Sequence, residues 1–321
     1  MIDLSKNEAR FAPPREVIDR VARKVSECVN LYPQAVCGEV LRKIGALFAR
    51  PGEAATLTRG VDEAVDLVLD AYPDREAVVL RPEFAGFVER FTAARRRHRA
   101  IDCAPDWTFP GPRTEGLGDK DLFFVSSPHN PSGEDFDPAA LRSIADCGCV
   151  VLLDRAYREF ADAPNAHERA HPRMLRFYSF SKAYGLAGQR VGVLVGPEAI
   201  LGAIRARQWF FHVDVFTLLL LDAAMSEDWM RQNVRRTAEA RGDFIRSLQA
   251  GGFAARRSQA NFVLLREPLA EALVECLLSS GIRVAPTAPL GLGGHVRITI
   301  GTSEELQSVL IALQRWKSRE G

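Results

Sequence analysis

Between residues 54 and 196 short runs of β-branched, aromatic and aliphatic residues alternate with longer segments whose apolar positions recur every three or four residues. An unbroken apolar run of four or five residues suits a strand buried on both faces, and the wider spacing suits a helix that buries one stripe. The pattern predicts about seven strands, at Ala55–Thr58, Ala77–Leu80, Ala100–Cys103, Leu122–Val125, Val150–Leu153, Leu175–Tyr178 and Val191–Val195. Strands that alternate with helices in this way predict an α/β domain built on a mostly parallel sheet covered by helices. Two of the helices are well marked. Asp137-Pro138 supplies an N-cap and a proline at the first helical position, and Val61, Ala64, Val65, Val68 and Tyr72 form a stripe at helical spacing.

Beyond Pro197 the pattern changes to longer helical periodicity, then to strands at Asn261–Leu265, Ile282–Ala285 and Val296–Ile300 and a closing helix. Thr302 and Glu305 form a capping box for that helix. This tail predicts a smaller α+β domain. The division expected is an amino-terminal arm with part of the small domain at 1–35, a large domain at 36–215 and a small domain at 216–321.

Composition narrows the partners. The chain of 321 residues carries 42 Lys+Arg against 41 Asp+Glu, a formal charge of +1, so nothing in its overall charge draws it to nucleic acid or an anionic membrane. A charged ligand must then be held by a local site. The run Arg95 to Arg99, interrupted by His98, reads as a solvated edge. Six cysteines without a CxxC pair or a histidine at zinc spacing read as reduced thiols and predict no metal. The amino terminus lacks the apolar run of a secretion signal, and the stretch Phe216–Met225 is too short to span a bilayer. A cytoplasmic enzyme acting on small molecules is expected.

In open α/β sheets ligands bind beyond the carboxyl ends of the strands, so the residues next after each strand are the candidates. After the first comes Thr58-Arg59-Gly60-Val61-Asp62, a glycine turn opening a helix. Its free N–H groups and helix dipole can seat a phosphate, although a plain strand-to-helix turn looks the same. After the fourth comes the turn-forming loop Ser126-Ser127-Pro128-His129-Asn130-Pro131-Ser132-Gly133. The fifth runs into Asp154, with Tyr157 close behind; a carboxylate there needs a cation or serves as a helix N-cap. The sixth delivers Ser179-Phe180-Ser181-Lys182 and, further on, Arg190. A partly desolvated lysine at a sheet mouth can form a Schiff base, and two serines with an arginine can hold a phosphate.

That last segment resembles the cofactor-lysine motif of fold-type I pyridoxal-phosphate aminotransferases, in the class I/II branch and most like the histidinol-phosphate aminotransferase group. The segments LSKNEARFAPP, LYPQ, TRGVDEAVDLVL, RPEF, HNPSG, LLDRAY, FSKAYGLAGQRVG, ANFVLL and VRITIGT keep the family's order along nearly the whole chain. The resemblance implies that Lys182 is the Schiff-base lysine, that Asp154 partners the pyridine nitrogen, and that Asn130 and Tyr157 meet the ring oxygen. It places Gly60, Val61, Asp62, Ser179, Ser181 and Arg190 around the phosphate and Phe84 against the ring. Arg297 matches the residue that clamps the substrate α-carboxylate. Tyr32 matches a tyrosine that reaches the phosphate from a neighbouring subunit, which implies a homodimer with shared sites.

The implied activity moves an amino group between an amino acid and a 2-oxo acid. A decarboxylase of the threonine-phosphate type and a true histidinol-phosphate aminotransferase share the same constellation, and a non-catalytic pyridoxal-phosphate module is a further alternative. Some positions depart from the family. Arg155 replaces an acidic residue, Phe84 a tyrosine, and Ala285 stands where histidinol-phosphate enzymes carry an arginine for the substrate phosphate, with Arg283 and Arg10 the residues available to replace it.

Overall fold

The computed structural model describes residues 1–103, 116–166 and 169–320. All seven expected strands join one sheet, in the order Glu53–Thr58, Gly192–Pro197, Met174–Ser179, Val150–Asp154, Asp121–Ser126, Glu76–Arg81 and His98–Asp102. From Met174–Ser179 to His98–Asp102 neighbours run parallel, and only Gly192–Pro197 runs against both of its neighbours. The three central strands, Met174–Ser179, Val150–Asp154 and Asp121–Ser126, are buried at every residue; Leu122–Val125 and Val150–Leu153 are unbroken apolar runs, while Met174–Ser179 carries the buried Arg176, paired with Glu53.

Helices cover both faces. On one, Ala64, Val65 and Val68 of helix Gly60–Ala71 pack with Phe87, Phe91, Phe124 and Leu152. On the other, Leu141 and Ile144 of helix Pro138–Asp146 meet Phe123, Val151 and Leu153. That helix is capped as expected, Asp137 Oδ1 accepting from the Ala139 N–H at 3.0 Å.

The edge strand begins two residues before the expected Ala100 and stops at Asp102. It is paired on one side only, and its alternating exposure leaves no continuous apolar run to mark its limits. It also absorbs part of the basic run. Arg99 donates to Glu76 and to Asp121, each at 2.8 Å, and Arg96 donates to the Tyr72 carbonyl, so these two arginines tie the edge to its neighbours. The strand expected at Val191–Val195 is Gly192–Pro197.

The carboxyl-terminal part builds a four-stranded sheet, Ala285–Pro286, His295–Thr299, Phe262–Arg266 and Ala254–Ala255 in that order. Its core includes Phe244, Leu248, Val263, Leu273, Ile298, Val309 and Trp316. The single strand expected at Ile282–Ala285 is two. Ile282–Arg283 pairs in parallel with Ile2–Asp3, while Ala285–Pro286 pairs with His295–Thr299, the chain changing partners at buried Val284. The capping box forms in both directions, Glu305 to the Thr302 N–H at 2.8 Å and Thr302 Oγ1 to the Glu305 N–H at 3.3 Å.

The amino-terminal residues complete this region. Leu4 is buried in the same core, and its backbone bonds Arg283 on one side and Thr299 on the other. The chain beyond it, residues 5 to 8, is thereby led to the ends of the main-sheet strands. Phe216–Met225 lies within helix Val215–Ser226, and among the described residues no helix is long and apolar enough to cross a membrane.

Candidate active site

A cavity of about 350 Å³ opens at the carboxyl ends of the parallel strands. One wall is the turn from strand Glu53–Thr58 into helix Gly60–Ala71, with Gly60, Val61 and Asp62 on the lining. Gly60 is required twice over. Its φ is +76°, and a Cβ there would lie 3.0 Å from Arg190 Nη2. The Arg190 guanidinium therefore rests against the helix start, also 3.3 Å from Asp62 Oδ2. Ser179, the last residue of its strand, accepts from the Ser181 N–H at 3.1 Å, and both serines line the same corner.

Asp154 ends strand Val150–Asp154 at the cavity floor. Its Oδ1 accepts from the Ala156 N–H at 2.8 Å, and the chain beyond makes only a single 3₁₀ turn, Arg158–Phe160, so Asp154 does not cap an α-helix. Burial pushes its carboxyl up to about 7, against the hydrogen bond and the charges of Lys182 and Arg155. Lys182 Nζ donates to the Lys6 carbonyl at 3.0 Å and sits 5.9 Å from the centre of the Tyr157 ring. Burial, helped by Arg297, brings its ammonium down to about 8.

The remaining walls come from loops. Asn130 donates its N–H to Ser126 Oγ at 3.0 Å, and its Oδ1 accepts from Arg297 Nη1 at 2.6 Å. Arg297 Nη2 donates to the Ser5 carbonyl at 2.6 Å, while its buried Nε has no partner. Tyr157 Oη accepts from Asn7 Nδ2 at 2.9 Å. Phe84 lines the cavity and meets Phe87 edge-on at 5.5 Å.

Eleven of the site residues expected from the sequence thus line one cavity, and Arg297 adjoins it through Asn130. Tyr32 does not reach it. It is 82% exposed and stacks on Phe211 at 5.2 Å in a separate groove with Val29, Leu31 and Phe210. Arg155 is fully buried and donates to the Ser127 carbonyl, to Asp135 Oδ1 at 2.9 Å and to the Pro164 carbonyl at 3.1 Å, so it binds loops together beneath the site. Neither replacement for the missing arginine at Ala285 lines the cavity: Arg10 is paired with Glu305, and Arg283 lies 3.3 Å from Asp3.

Sequence reasoning missed Lys6, Asn7, Glu8 and Glu83. The first three fall in the segment LSKNEARFAPP, whose only signal was its match to the family. Glu83 is a buried carboxyl that accepts from the Phe84 N–H at 2.9 Å, the Ser126 N–H at 3.0 Å and the Ser126 hydroxyl, and burial pushes it up to about 8. Among the described residues no cluster of metal-ligating side chains occurs.

A desolvated amine, a buried carboxyl, an aromatic wall, and a helix start flanked by two serines and an arginine fit the aldehyde, ring nitrogen, ring face and phosphate of pyridoxal phosphate. Fold and cavity together are those of a fold-type I pyridoxal-phosphate enzyme. The chain matches the family of class I and II aminotransferases over residues 1–313 and belongs to it; it is a pyridoxal-phosphate-dependent aminotransferase. It is 31% identical over 319 residues to the histidinol-phosphate aminotransferase of Natronomonas pharaonis, covering 95% of this chain and 88% of that one. Its fold is shared, at a TM-score of 0.86 and 20% identity, with the histidinol-phosphate aminotransferase of Sinorhizobium meliloti solved with pyridoxal-5'-phosphate, over 100% of this chain and 92% of that one. L-threonine-O-3-phosphate decarboxylase of Porphyromonas gingivalis has the same fold at a TM-score of 0.83 and 19% identity, over 99% of this chain and 100% of that one. The fold alone therefore does not separate the two reactions.

Proposed function

We propose that the cavity holds pyridoxal phosphate attached through Lys182 and that Arg297 receives the α-carboxylate of an amino-acid donor. The observation that carries this reading is that one cavity brings together the buried Asp154 carboxyl, the buried Lys182 amine and the corner formed by Gly60, Ser179, Ser181 and Arg190, burial raising the first group and lowering the second. When bound, the cofactor supplies a ring that takes up the electron pair released at the substrate α-carbon.

The chain's own residues do the rest. Asp154, buried and short of a full cationic partner, favours a protonated nitrogen opposite it and holds that proton in place. Lys182, once its amine is free, carries a proton to and from the α-carbon, and its lowered pKa suits a base working near neutral pH. Gly60 at the helix start, Ser179, Ser181 and Arg190 hold the phosphate, and Phe84 covers the ring. Asn130 and Tyr157 address the ring oxygen. Arg297 offers a planar fork to a planar carboxylate, which a lysine does not.

The donor proposed is an unphosphorylated amino acid. A phosphate monoester in a partly buried site normally needs an arginine or lysine within hydrogen-bonding distance. Ala285 supplies none, and Arg10 and Arg283 are engaged elsewhere; among the described residues lining the cavity Lys182 and Arg190 are assigned to the cofactor, so Lys6 alone stands in place of the arginine. We place the enzyme in the cytoplasm as a homodimer in which Tyr32 serves the partner's cavity; its exposure and its aromatic surroundings favour contact with a second copy. A panel of amino donors mixed singly with the holoenzyme, with loss of the visible cofactor band followed in one turnover, tests the reaction. Conversion to the amino form of the cofactor supports transamination. Release of carbon dioxide with the band retained would instead favour decarboxylation.

A further inference from the structure

Asn7 is buried, with a φ of +53°, and all of its polar groups are engaged. Its N–H donates to Thr299 Oγ1 at 3.0 Å, and its carbonyl accepts from Asn261 Nδ2 at 3.1 Å. Its side-chain Oδ1 accepts from Thr299 Oγ1 at 3.1 Å, and Nδ2 donates to Tyr157 Oη at 2.9 Å. The amide is oriented with Oδ1 toward Thr299 Oγ1 and Nδ2 toward Tyr157 Oη. The Thr299 hydroxyl has one proton, and giving it to Oδ1 turns Nδ2 toward the tyrosine.

A phenol oxygen that accepts an N–H still has its own proton to donate. Among the described residues no acceptor holds that proton, and Tyr157 lines the cavity. The same short segment reaches two other site residues, the Ser5 carbonyl meeting Arg297 and the Lys6 carbonyl meeting Lys182. We infer that Asn7 is a positioning residue, which by donating to Tyr157 Oη directs the tyrosine's proton into the cavity, toward the ring oxygen of the cofactor. The inference rests on the assignment of Tyr157 under the proposed function and adds the group that sets the direction of its hydrogen bond.

A proton donated to the ring oxygen neutralises part of its negative charge. Without it, the nitrogen joined to the cofactor at Lys182 holds its own proton more tightly, and the pH midpoint of the visible band rises. Asp154, Glu83, Arg297 and Lys182 are the charged or titratable groups that face Tyr157, and all four are left in place in the variants compared.

The test compares holoenzyme of the unmodified protein, Asn7→Asp, Tyr157→Phe and the double variant by spectroscopic pH titration. Asn7→Asp keeps the shape and replaces the donor by an acceptor that competes for the tyrosine's proton. A midpoint raised by about 0.5 to 1 unit is expected for Asn7→Asp, at least as much for Tyr157→Phe, and no further rise in the double variant. Asn7→Gly tolerates the positive φ and removes the donor without adding a charge, so it covers the case in which Asn7→Asp does not fold; it too is expected to raise the midpoint. A shift in Tyr157→Phe with none in either Asn7 variant overturns the inference, as does an additive shift in the double variant, which would mean that the new carboxylate acts directly by its charge. No shift in Tyr157→Phe overturns the assignment of Tyr157 itself, and the inference falls with it.

Discussion

Arg297 Nη1 and Asn130 Oδ1 stand 2.6 Å apart, a hydrogen bond that joins the four-stranded sheet to the loop leaving strand Asp121–Ser126 of the main sheet. Arg297 also holds the Ser5 carbonyl, so one guanidinium gathers three separate stretches of chain at the cavity. Arg297→Lys keeps the charge and loses the fork. It is expected to lower kcat/KM for amino-acid donors about ten- to hundredfold, with a smaller effect on pyridoxal phosphate affinity. Equal losses in both would place Arg297 in cofactor binding instead.

Burial moves the titration of Lys182 below that of an exposed lysine. Its ammonium, lowered to about 8, is charged below that pH and a free nucleophile above it. The rate at which pyridoxal phosphate attaches to apoenzyme should rise with pH and level off above about 8, whereas an ordinary lysine would continue to gain toward 10.5. Stopped-flow absorbance across pH 6 to 10 reads the midpoint, within about a unit.

The parts of this molecule that were legible in the sequence are those fixed by burial on two faces. The central strands could be read because every residue from Asp121 to Ser126 and from Val150 to Asp154 is buried, which demands an unbroken apolar run. The two-residue strands Ile2–Asp3 and Ala254–Ala255 are too short to carry a period. At the site, Lys182 and Asp154 were legible because each ends or comes just after such a strand and matches a family motif. Asn7 and Glu83 were not, since what they do depends on the distant Thr299, Tyr157 and Ser126. Arg155 stood out in the sequence only as a departure. Its place under the loops is a matter of tertiary packing, where its charge is met by Asp135 and by backbone carbonyls.

Tyr32 provides a test of assembly, because it does not line the cavity of its own chain. If it serves the partner's cavity, mixing Tyr32→Phe, weakened by the loss of one phosphate contact, with inactive Lys182→Ala under exchange should restore about one fully working site per mixed dimer. Activity recovered on mixing, with a dimer seen by sedimentation, is the expected result. An active monomer at assay concentration contradicts it.

Ala285 provides a test of the donor. With no arginine at this position, kcat/KM for histidinol phosphate should lie below that for the best free amino acid, and Ala285→Arg should raise it about tenfold to a hundredfold. If histidinol phosphate is the best donor of the unmodified protein, the proposed preference is wrong, and another cation must meet its phosphate.

The central claim is that one buried lysine carries the cofactor. Reducing the holoenzyme with borohydride and sequencing its peptides by mass spectrometry tests it most directly, with Lys182→Ala treated in parallel. A pyridoxyl phosphate adduct is expected on Lys182 and none in Lys182→Ala, which should turn over roughly 10²- to 10⁴-fold more slowly, the loss expected on removing a general acid-base group. An adduct on another lysine, or a Lys182→Ala protein that still reacts at the original rate, would contradict it.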